Sequence, residues 1–385
     1  MKITMFSNFL NHHQLPFCEE MVKLTNGDFR FVATKPIEQE RLSLGYEDMN
    51  KKPFVVRAYE NEEQYELAKK LCAESDIVIY GSAPEAFFKA RKEMGLLTFR
   101  YSERILKKGL YQIFSPRAQK NIRNNHSKYK NNTYLLCASA FTAADYARFG
   151  AYKNNAYKWG YFPQVKKYDD IEEVIKAKNK NSILWAGRFI DWKHTEVAVK
   201  VADMLKKNGY DFTLNIIGTG ELEKEIRTLI NKKGLEKQVN MLGSMSPEKV
   251  REYMEKSEIF LFTSDRHEGW GAVLNESMNS GCAVVASHAI GSVPFLIDNG
   301  KNGMVYKSGK VKDLYVKTKY LLDNSEKRRE IGKNAYLTLE QQWNPENAAK
   351  RFYKLALSLL EEKDANLFEE GVCSKAKILK DNWKI

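Results

Sequence analysis

Two glutamates, Glu268 and Glu276, stand eight positions apart in the stretch SDRHEGWGAVLNESMNSG, which runs from Ser264 to Gly281. The apolar run EIFLFT before it predicts a buried strand, and the helical spacing of the apolar residues that follow Gly271 predicts a helix. A glycine loop between a strand and a helix lets the backbone approach a ligand closely, and N–H groups at a helix start favour a phosphate. We therefore expect Glu268 at the mouth of the loop, with Glu276 turned back to accept hydrogen bonds from a diol.

The spacing of two carboxylates is weak evidence by itself, because 29% of the chain is charged. The context is more specific: the stretch resembles the glutamate, seven residues, glutamate signature of retaining glycosyltransferases of family 4. The segment CAVVASHAIGSVPFLIDNGKNGMVY, from Cys282 to Tyr306, is similar to the one that follows the signature in that family. The resemblance implies an α/β GT-B fold: two doubly wound parallel-sheet (Rossmann-like) domains facing a cleft, with a C-terminal helix crossing back to the first domain.

A basic motif follows an earlier apolar run, where GRFIDWK places Arg188 and Lys193 five residues apart. Alone, both could be solvated surface charges. In the family, this arginine and lysine contact the diphosphate of a nucleotide sugar, so the resemblance implies a catalytic set of Glu268, Arg188 and Lys193. A guanidinium and an ammonium can neutralise a leaving diphosphate without a metal. The resemblance accordingly implies no metal and no cofactor other than the donor substrate.

The resemblance also implies donor contacts in the loops of the second domain. The turn IIGTGELEKE lacks the dinucleotide fingerprint and the Walker lysine, which argues against a nicotinamide cofactor and a P-loop. In the family this turn lies near the donor, and the next strand end lies beside the base. The donor-binding set is Glu276, Gly218, Thr219, Gly243, Ser244, Met245, Gly269, Trp270, Gly271 and Ala272.

Short apolar runs alternate with helix-length segments along the chain. The first half holds KITMFS, FRFVAT, PFVVRAY, DIVIYG, LLTFRY and TYLLCAS, and the second holds NSILWAGR, FTLNIIGTG, VNMLGS, EIFLFTS and CAVVAS. This alternation predicts parallel sheets covered on both faces, and 385 residues exceed one core. We expect an acceptor-side domain over residues 1–163, a nucleotide-sugar-binding domain over 164–345, and a crossing helix with a tail over 346–385.

The first domain offers fewer chemical signals. Family members often have a glycine pair after the first strand, but this loop reads SNFLNHHQLP and contains no glycine. His13 in that loop and Glu103 after LLTFRYS are the acceptor-side candidates, because a histidine or a carboxylate can bond a sugar hydroxyl. A histidine near a helix start is also commonly a cap or a surface residue.

The positive charge of the chain is concentrated in one region. Residues 104–165 contain eleven Lys and Arg but a single Asp or Glu, and the stretch from Arg104 to Lys130 has eight basic residues and no acidic one. Apolar residues are interleaved with this charge at Leu110, Tyr111, Ile113 and Phe114. The pattern favours an anionic membrane surface, where each cation contributes about 1 kcal/mol. Nucleic acid is the rival polyanion, but no helix-turn-helix, RNA-recognition or zinc motif supports it. A merely solvated face of an amphipathic helix is the third interpretation.

Five scattered cysteines argue against a disulfide framework and for a reducing cytoplasm, and no apolar run reaches the roughly 18 residues of a membrane span. We therefore expect a cytoplasmic enzyme, peripheral on the inner face of the plasma membrane. By resemblance it moves a sugar from a UDP- or GDP-sugar to a glycan or lipid-linked acceptor, in cell-surface polysaccharide or glycolipid synthesis. The alternatives are a GT-B epimerase or phosphorylase and a non-catalytic sugar-nucleotide-binding module.

Overall fold

The computed structural model describes residues 1–39, 42, 47–128 and 132–383. The chain forms two compact units, the first made of Met1–Gln164 with Trp343–Asp381 and the second of Val165–Gln342 with the last residues of the chain. Each unit contains one parallel sheet with helices between successive strands. The expected α/β class with two doubly wound domains is confirmed.

The sheet of the first unit has seven parallel strands in the order β3-β2-β1-β4-β5-β6-β7. The six predicted apolar runs form β1 to β6, whereas β7 was not predicted. The strands are β1 (Ile3–Ser7), β2 (Phe29–Ala33), β3 (Val55–Arg57), β4 (Ile77–Tyr80), β5 (Thr98–Ser102), β6 (Thr133–Cys137) and β7 (Ala156–Lys158). The α-helices described between them are α1 (Leu15–Leu24), α2 (Glu62–Glu74), α3 (Glu85–Met94), α4 (Pro116–Ile122) and α5 (Thr142–Ala147).

The last helix of the chain, α14 (Pro345–Leu360), belongs to the first unit. It begins as the Asn-Pro pair indicates, because the Asn344 side chain accepts a hydrogen bond from the Asn347 N–H at 2.8 Å. The ring of Phe352 lies 4.9 Å from Phe99 and 6.1 Å from Phe17 of α1, which places the apolar face of α14 on this unit's core. The tail after α14 runs along β7, where the Lys158 N–H donates to the Ser374 carbonyl at 2.8 Å.

The sheet of the second unit has six parallel strands in the order β10-β9-β8-β11-β12-β13. The strands are β8 (Asn179–Ala186), β9 (Thr213–Ile217), β10 (Val239–Met241), β11 (Ser257–Phe262), β12 (Ala283–Ser287) and β13 (Met304–Tyr306). The helices are α6 (Ile171–Lys176), α7 (Thr195–Lys207), α8 (Glu223–Lys232), α9 (Pro247–Lys256), α10 (Val273–Asn279), α11 (Val293–Leu296), α12 (Val311–Asp323) and α13 (Ser325–Gln341). The inward faces of α7 and α8 pack on alternate residues of β8 and β9 in one buried apolar cluster.

The helices of the described residues also bear on the membrane question. None of them is both long enough and apolar enough to cross a bilayer.

Candidate functional site

Four neighbouring parallel strands of the second unit, β10, β9, β8 and β11, end at the same edge of the sheet. Residues that follow them along the chain therefore meet at that edge although they are far apart in sequence. The loop after β8 carries Arg188 and Lys193, the loop after β9 carries Gly218 and Thr219, and the loop after β11 carries Glu268. We call this group of loops the second edge.

Lys193 and Glu268 form an ion pair across the second edge, joining the loops after β8 and β11. Their side chains are only 15% and 14% exposed, and the Ser264 hydroxyl donates to the same carboxylate oxygen at 3.0 Å. The Thr263 hydroxyl donates to the Lys193 carbonyl at 2.7 Å, which adds a backbone tie between the loops. Lys193 is therefore balanced by an acid in this structure, a pairing that spacing in the sequence does not reveal.

Arg188 is the cation that the second edge presents to solvent. Its side chain is exposed, and within the described part of the chain it forms no ion pair. The next residue, Phe189, is fully buried, and its N–H donates to the Thr219 carbonyl at 2.8 Å. A buried neighbour thus fixes the backbone beneath Arg188, while its guanidinium remains available to an anion.

His194 connects the loops of the second edge a second time, and its role was not predicted from the sequence. Its ring nitrogens lie 3.3 Å from Asp265, in the loop after β11, and 3.3 Å from Glu196 in α7. Hydrogen bonds to Asp265 and Glu196 raise the pKa of His194 to about 10. His194 is therefore a cation at neutral pH, and it braces the backbone next to Lys193. Its position next to Lys193, in the loop after a predicted strand, was the signal that could have found it.

A close contact between two loops requires a glycine at Gly218, the first residue of the Gly-Thr-Gly turn after β9. Gly218 has φ +135°, and a Cβ placed there would lie 1.9 Å from the Gly187 carbonyl oxygen. Only glycine permits this approach, which brings the exposed Thr219 beside the loop of Arg188. The turn after β10 is more open: Gly243 has φ +74° with no atom near its Cβ position, Ser244 is exposed, and Met245 is partly buried.

The loop Gly269–Ala272 can reach a ligand only through its backbone. The Trp270 ring is fully buried, and its indole N–H donates to the Asn275 side chain at 2.9 Å. Gly271 has φ +79°, and a Cβ there would lie 2.3 Å from the Phe262 ring. Because a positive φ cannot continue a helix, α10 begins at Val273, two residues later than predicted.

Glu276 lies on α10 and is partly buried. Burial raises the pKa of its carboxyl to about 7, and the positive charge of Arg251 opposes that rise. No hydrogen-bond or ion-pair partner for this carboxylate is found among the residues that the structure covers, unlike the Glu268 carboxylate. The two glutamates thus differ. The Glu268 carboxylate is held by a lysine and a serine, while the Glu276 carboxylate is available to accept hydrogen bonds from a ligand.

A polar cavity of about 620 Å³ lies at the carboxyl edge of the first sheet, after β1, β4 and β5. Glu103 lines it, and its carboxylate accepts hydrogen bonds from Lys107 and from the Tyr161 hydroxyl. The His13 ring stacks on Tyr161 with centroids 5.4 Å apart. The glycine-free first loop is shaped by Asn11, whose side chain accepts the His13 N–H at 3.0 Å. Both acceptor-side candidates are therefore linked through Tyr161, a residue that the sequence motifs did not single out.

The basic stretch from Arg104 to Lys130 is not one continuous surface. Arg104 is buried, with its guanidinium 3.2 Å from Asp145 and 2.9 Å from Asp381, so it belongs to the core and not to a docking face. Lys130 lies outside the described residues. Between them, Tyr111 and Phe114 are 66% and 80% exposed on a 3₁₀ helix over Leu110–Phe114. The exposed bases beside this helix are Lys108, Arg117, Lys120 and Arg123.

Comparison with known proteins agrees with this architecture. Residues 167–338 match the family model described as glycosyl transferases group 1. The amylovoran biosynthesis glycosyltransferase AmsK of Erwinia amylovora is 28% identical over 207 residues, which cover 50% of this chain and 49% of AmsK. The chain spans about half the length of the curated relatives it matches, 44% and 49% in two cases.

Solved structures match over nearly the whole chain. Anabaena HepE in complex with UDP aligns with a TM-score of 0.69 at 16% identity, covering 93% of this chain and 100% of HepE. The lipopolysaccharide outer core galactosyltransferase WaaB aligns with a TM-score of 0.70 at 17% identity, covering 93% of this chain and 99% of WaaB. At these identities the match concerns the fold, and the chain has the GT-B fold.

Proposed function

We propose that the protein is a glycosyltransferase that moves a sugar from a nucleotide diphosphate sugar to a glycan or lipid-linked acceptor. The observation that carries the proposal is the second edge, where Lys193 pairs with Glu268 and shares a loop with the exposed Arg188, within the segment that matches the group 1 family model. Names of similar proteins, such as amylovoran biosynthesis glycosyltransferase, support a role in polysaccharide or glycolipid synthesis.

In this proposal the exposed Arg188 takes the diphosphate first. Lys193, which Glu268 already holds in place, joins it by sharing its ammonium between the phosphate and Glu268, so the leaving group meets two cations. Glu268 then faces the sugar, and Glu276 accepts hydrogen bonds from the ribose hydroxyls. The backbones of Gly218, Gly243 and the Gly269–Ala272 loop approach the donor. We further propose that the anomeric configuration is retained and that no metal is required.

The donor is tested by supplying a panel of UDP- and GDP-sugars with EDTA present and measuring release of the nucleoside diphosphate. UDP-sugars come first because HepE was solved with UDP. We expect slow hydrolysis of one donor without an acceptor. Tight binding of a nucleotide sugar with no release under any condition would favour the non-catalytic binding module instead. Activity that depends on added divalent metal would contradict the metal-free part of the proposal.

We also propose that the enzyme works in the cytoplasm, on the inner face of the plasma membrane, docked through the 3₁₀ helix Leu110–Phe114 and the exposed bases beside it. Exposed Tyr111 and Phe114 next to Arg117 and Lys120 combine apolar insertion with attraction to anionic headgroups. On a nucleic acid, the exposed rings of this 3₁₀ helix could stack only on unpaired, unstacked bases. A membrane surface, in contrast, offers them an apolar layer.

A further inference from the structure

Arg100, on β5, lines the cavity of the first unit and is buried. Its side chain is 8% exposed, and its guanidinium lies over the rings of Tyr80 and Phe88, 4.8 and 5.1 Å from their centroids. One terminal nitrogen donates to Glu85. The other, Nη1, is shielded from bulk water and has no hydrogen-bond partner among the described residues.

The charges around Arg100 do not balance. Glu85 is shared by two cations, Arg100 and Lys92, and the Lys92 Nζ lies 2.9 Å from its carboxylate with only 5% of the side chain exposed. Arg104, on the same cavity, is instead served by both Asp145 and Asp381. His126 supplies no further positive charge, because burial and the charges of Arg100 and Lys92 hold its pKa well below the usual value. Arg100 and Lys92 therefore have one carboxylate between them while Arg104 has two, so the positive excess is local to Arg100, in a place where charge is costly unless it is paired.

We propose that this cavity binds the acceptor through an anionic group, a carboxylate or a phosphate, whose partner is Arg100. A planar guanidinium with a free donor suits the two oxygens of either group. Asn8, Ser82 and Asn121, which also line the cavity, offer hydrogen bonds to hydroxyls of the same ligand. The assignment of this ligand as the acceptor rests on the proposed function, and it narrows the acceptor to an acidic sugar or a phosphate-bearing carrier.

The test uses the full chain and four probes: methyl glucuronide, methyl glucoside, glycerol phosphate and inorganic phosphate, with binding followed by NMR titration. We expect one anionic class to bind at least about tenfold more tightly than methyl glucoside. Preference for methyl glucuronide identifies an acidic sugar, and preference for glycerol phosphate identifies a phosphate carrier. Equal weak binding of all four probes overturns the proposal.

Two substitutions should act in opposite directions. Arg100→Gln should weaken the favoured anion at least about tenfold, whereas Glu85→Gln, which removes the competing carboxylate, should strengthen it. Arg148→Gln, at an exposed arginine of the first unit that does not line the cavity, is the matched control and should change nothing. If Arg100→Gln does not fold, Arg100→Lys keeps a cation beside Glu85 but lacks the planar fork of donors, and it should still weaken the favoured anion. An anion bound as tightly by Arg100→Lys as by the wild type contradicts the proposal.

UDP and GDP binding is measured in the same samples, because the nucleotide is assigned to the second unit. Anion binding that depends on Arg100 but occurs without any nucleotide binding would leave the cavity assignment standing and remove the proposed function. Nucleotide binding and sugar transfer without any Arg100-dependent anion binding would leave the proposed function standing and overturn the cavity assignment.

Discussion

The carboxyl edges of the two sheets use the same kinds of side chain in different ways. At the second edge Arg188 stands exposed without an ion pair in the described structure, and Glu276 has no partner there either. At the carboxyl edge of the first sheet, Arg104 is paired with Asp145, and Glu103 accepts a hydrogen bond from the Tyr161 hydroxyl. We propose that the second edge captures a highly charged ligand from water. In the same proposal, the cavity of the first unit selects a ligand by its hydrogen bonds and, through Arg100, by its charge.

The largest effect is expected from removing Arg188, the exposed cation of the second edge. Arg188→Ala should lower turnover by about 10²-fold with the fold intact, because a preorganised charge stabiliser of the leaving diphosphate is removed. Steady-state release of nucleoside diphosphate measures it. Arg227→Ala is the matched control, since Arg227 is an exposed arginine that pairs within α8. Near-normal turnover in Arg188→Ala would remove this residue from the site.

The two glutamates should separate by nucleotide affinity. Glu276→Gln should weaken UDP or GDP binding about tenfold, because the ribose loses a charged acceptor. Glu268→Gln should impair transfer without weakening that binding, since it releases Lys193 from its ion pair. Calorimetry with the nucleoside diphosphate distinguishes them. Equal losses in both variants would refute this division of roles.

If Glu276 binds the ribose, ligand affinity should depend on pH through the pKa of its carboxyl. Because burial raises that pKa to about 7, the ionised, accepting form grows as the pH rises from 6 to 8. Affinity for uridine, which has no titrating phosphate, should therefore increase up to about tenfold over this range. Glu276→Gln should bind uridine with a flat profile. A pH dependence that survives in Glu276→Gln must belong to another group.

A smaller effect is expected from removing His194, which hydrogen-bonds Asp265 in the loop after β11 and Glu196 in α7. His194→Gln should lower turnover several-fold and lower the melting temperature. A pKa raised to about 10 in the folded protein means that the stabilisation is complete below the unfolded value of about 6.5 and is lost as the pH rises through 10. Melting curves of both proteins should thus differ most near pH 6 and converge above pH 10. A constant difference across this range would show that the ring acts by packing alone.

The smallest effect is the docking contribution of the exposed rings. Tyr111→Ser with Phe114→Ser should reduce flotation with anionic vesicles at all salt concentrations. Neutralising Lys108, Arg117 and Lys120 should reduce it mainly at low salt, because exposed charges are screened over about 8 Å at physiological ionic strength. Wild-type protein that stays unbound at low salt, or that binds duplex DNA at least as tightly, contradicts the docking assignment.

Much of the fold followed from apolar runs, because a buried parallel strand needs a continuous one. Arg188 and the two glutamates were predicted as site residues from their motifs. The Lys193–Glu268 pair was not, because it depends on β8 and β11 being neighbours in the sheet. Trp270 was assigned to the donor by its place in the motif, but its ring packs in the core. Arg100 was overlooked because it sits inside the run LLTFRY, where a residue is easily taken to serve only the strand.

The most direct test of the nucleotide site is calorimetric titration of UDP and of GDP, with EDTA present, into the wild type, Arg188→Ala and Arg227→Ala. One nucleotide is expected to bind the wild type and the Arg227→Ala control with equal, micromolar-range affinity, about −8 kcal/mol, and to bind Arg188→Ala at least about tenfold more weakly. Failure of both nucleotides to bind the wild type, or equal binding by Arg188→Ala, would contradict the claim that the second edge holds a nucleoside diphosphate.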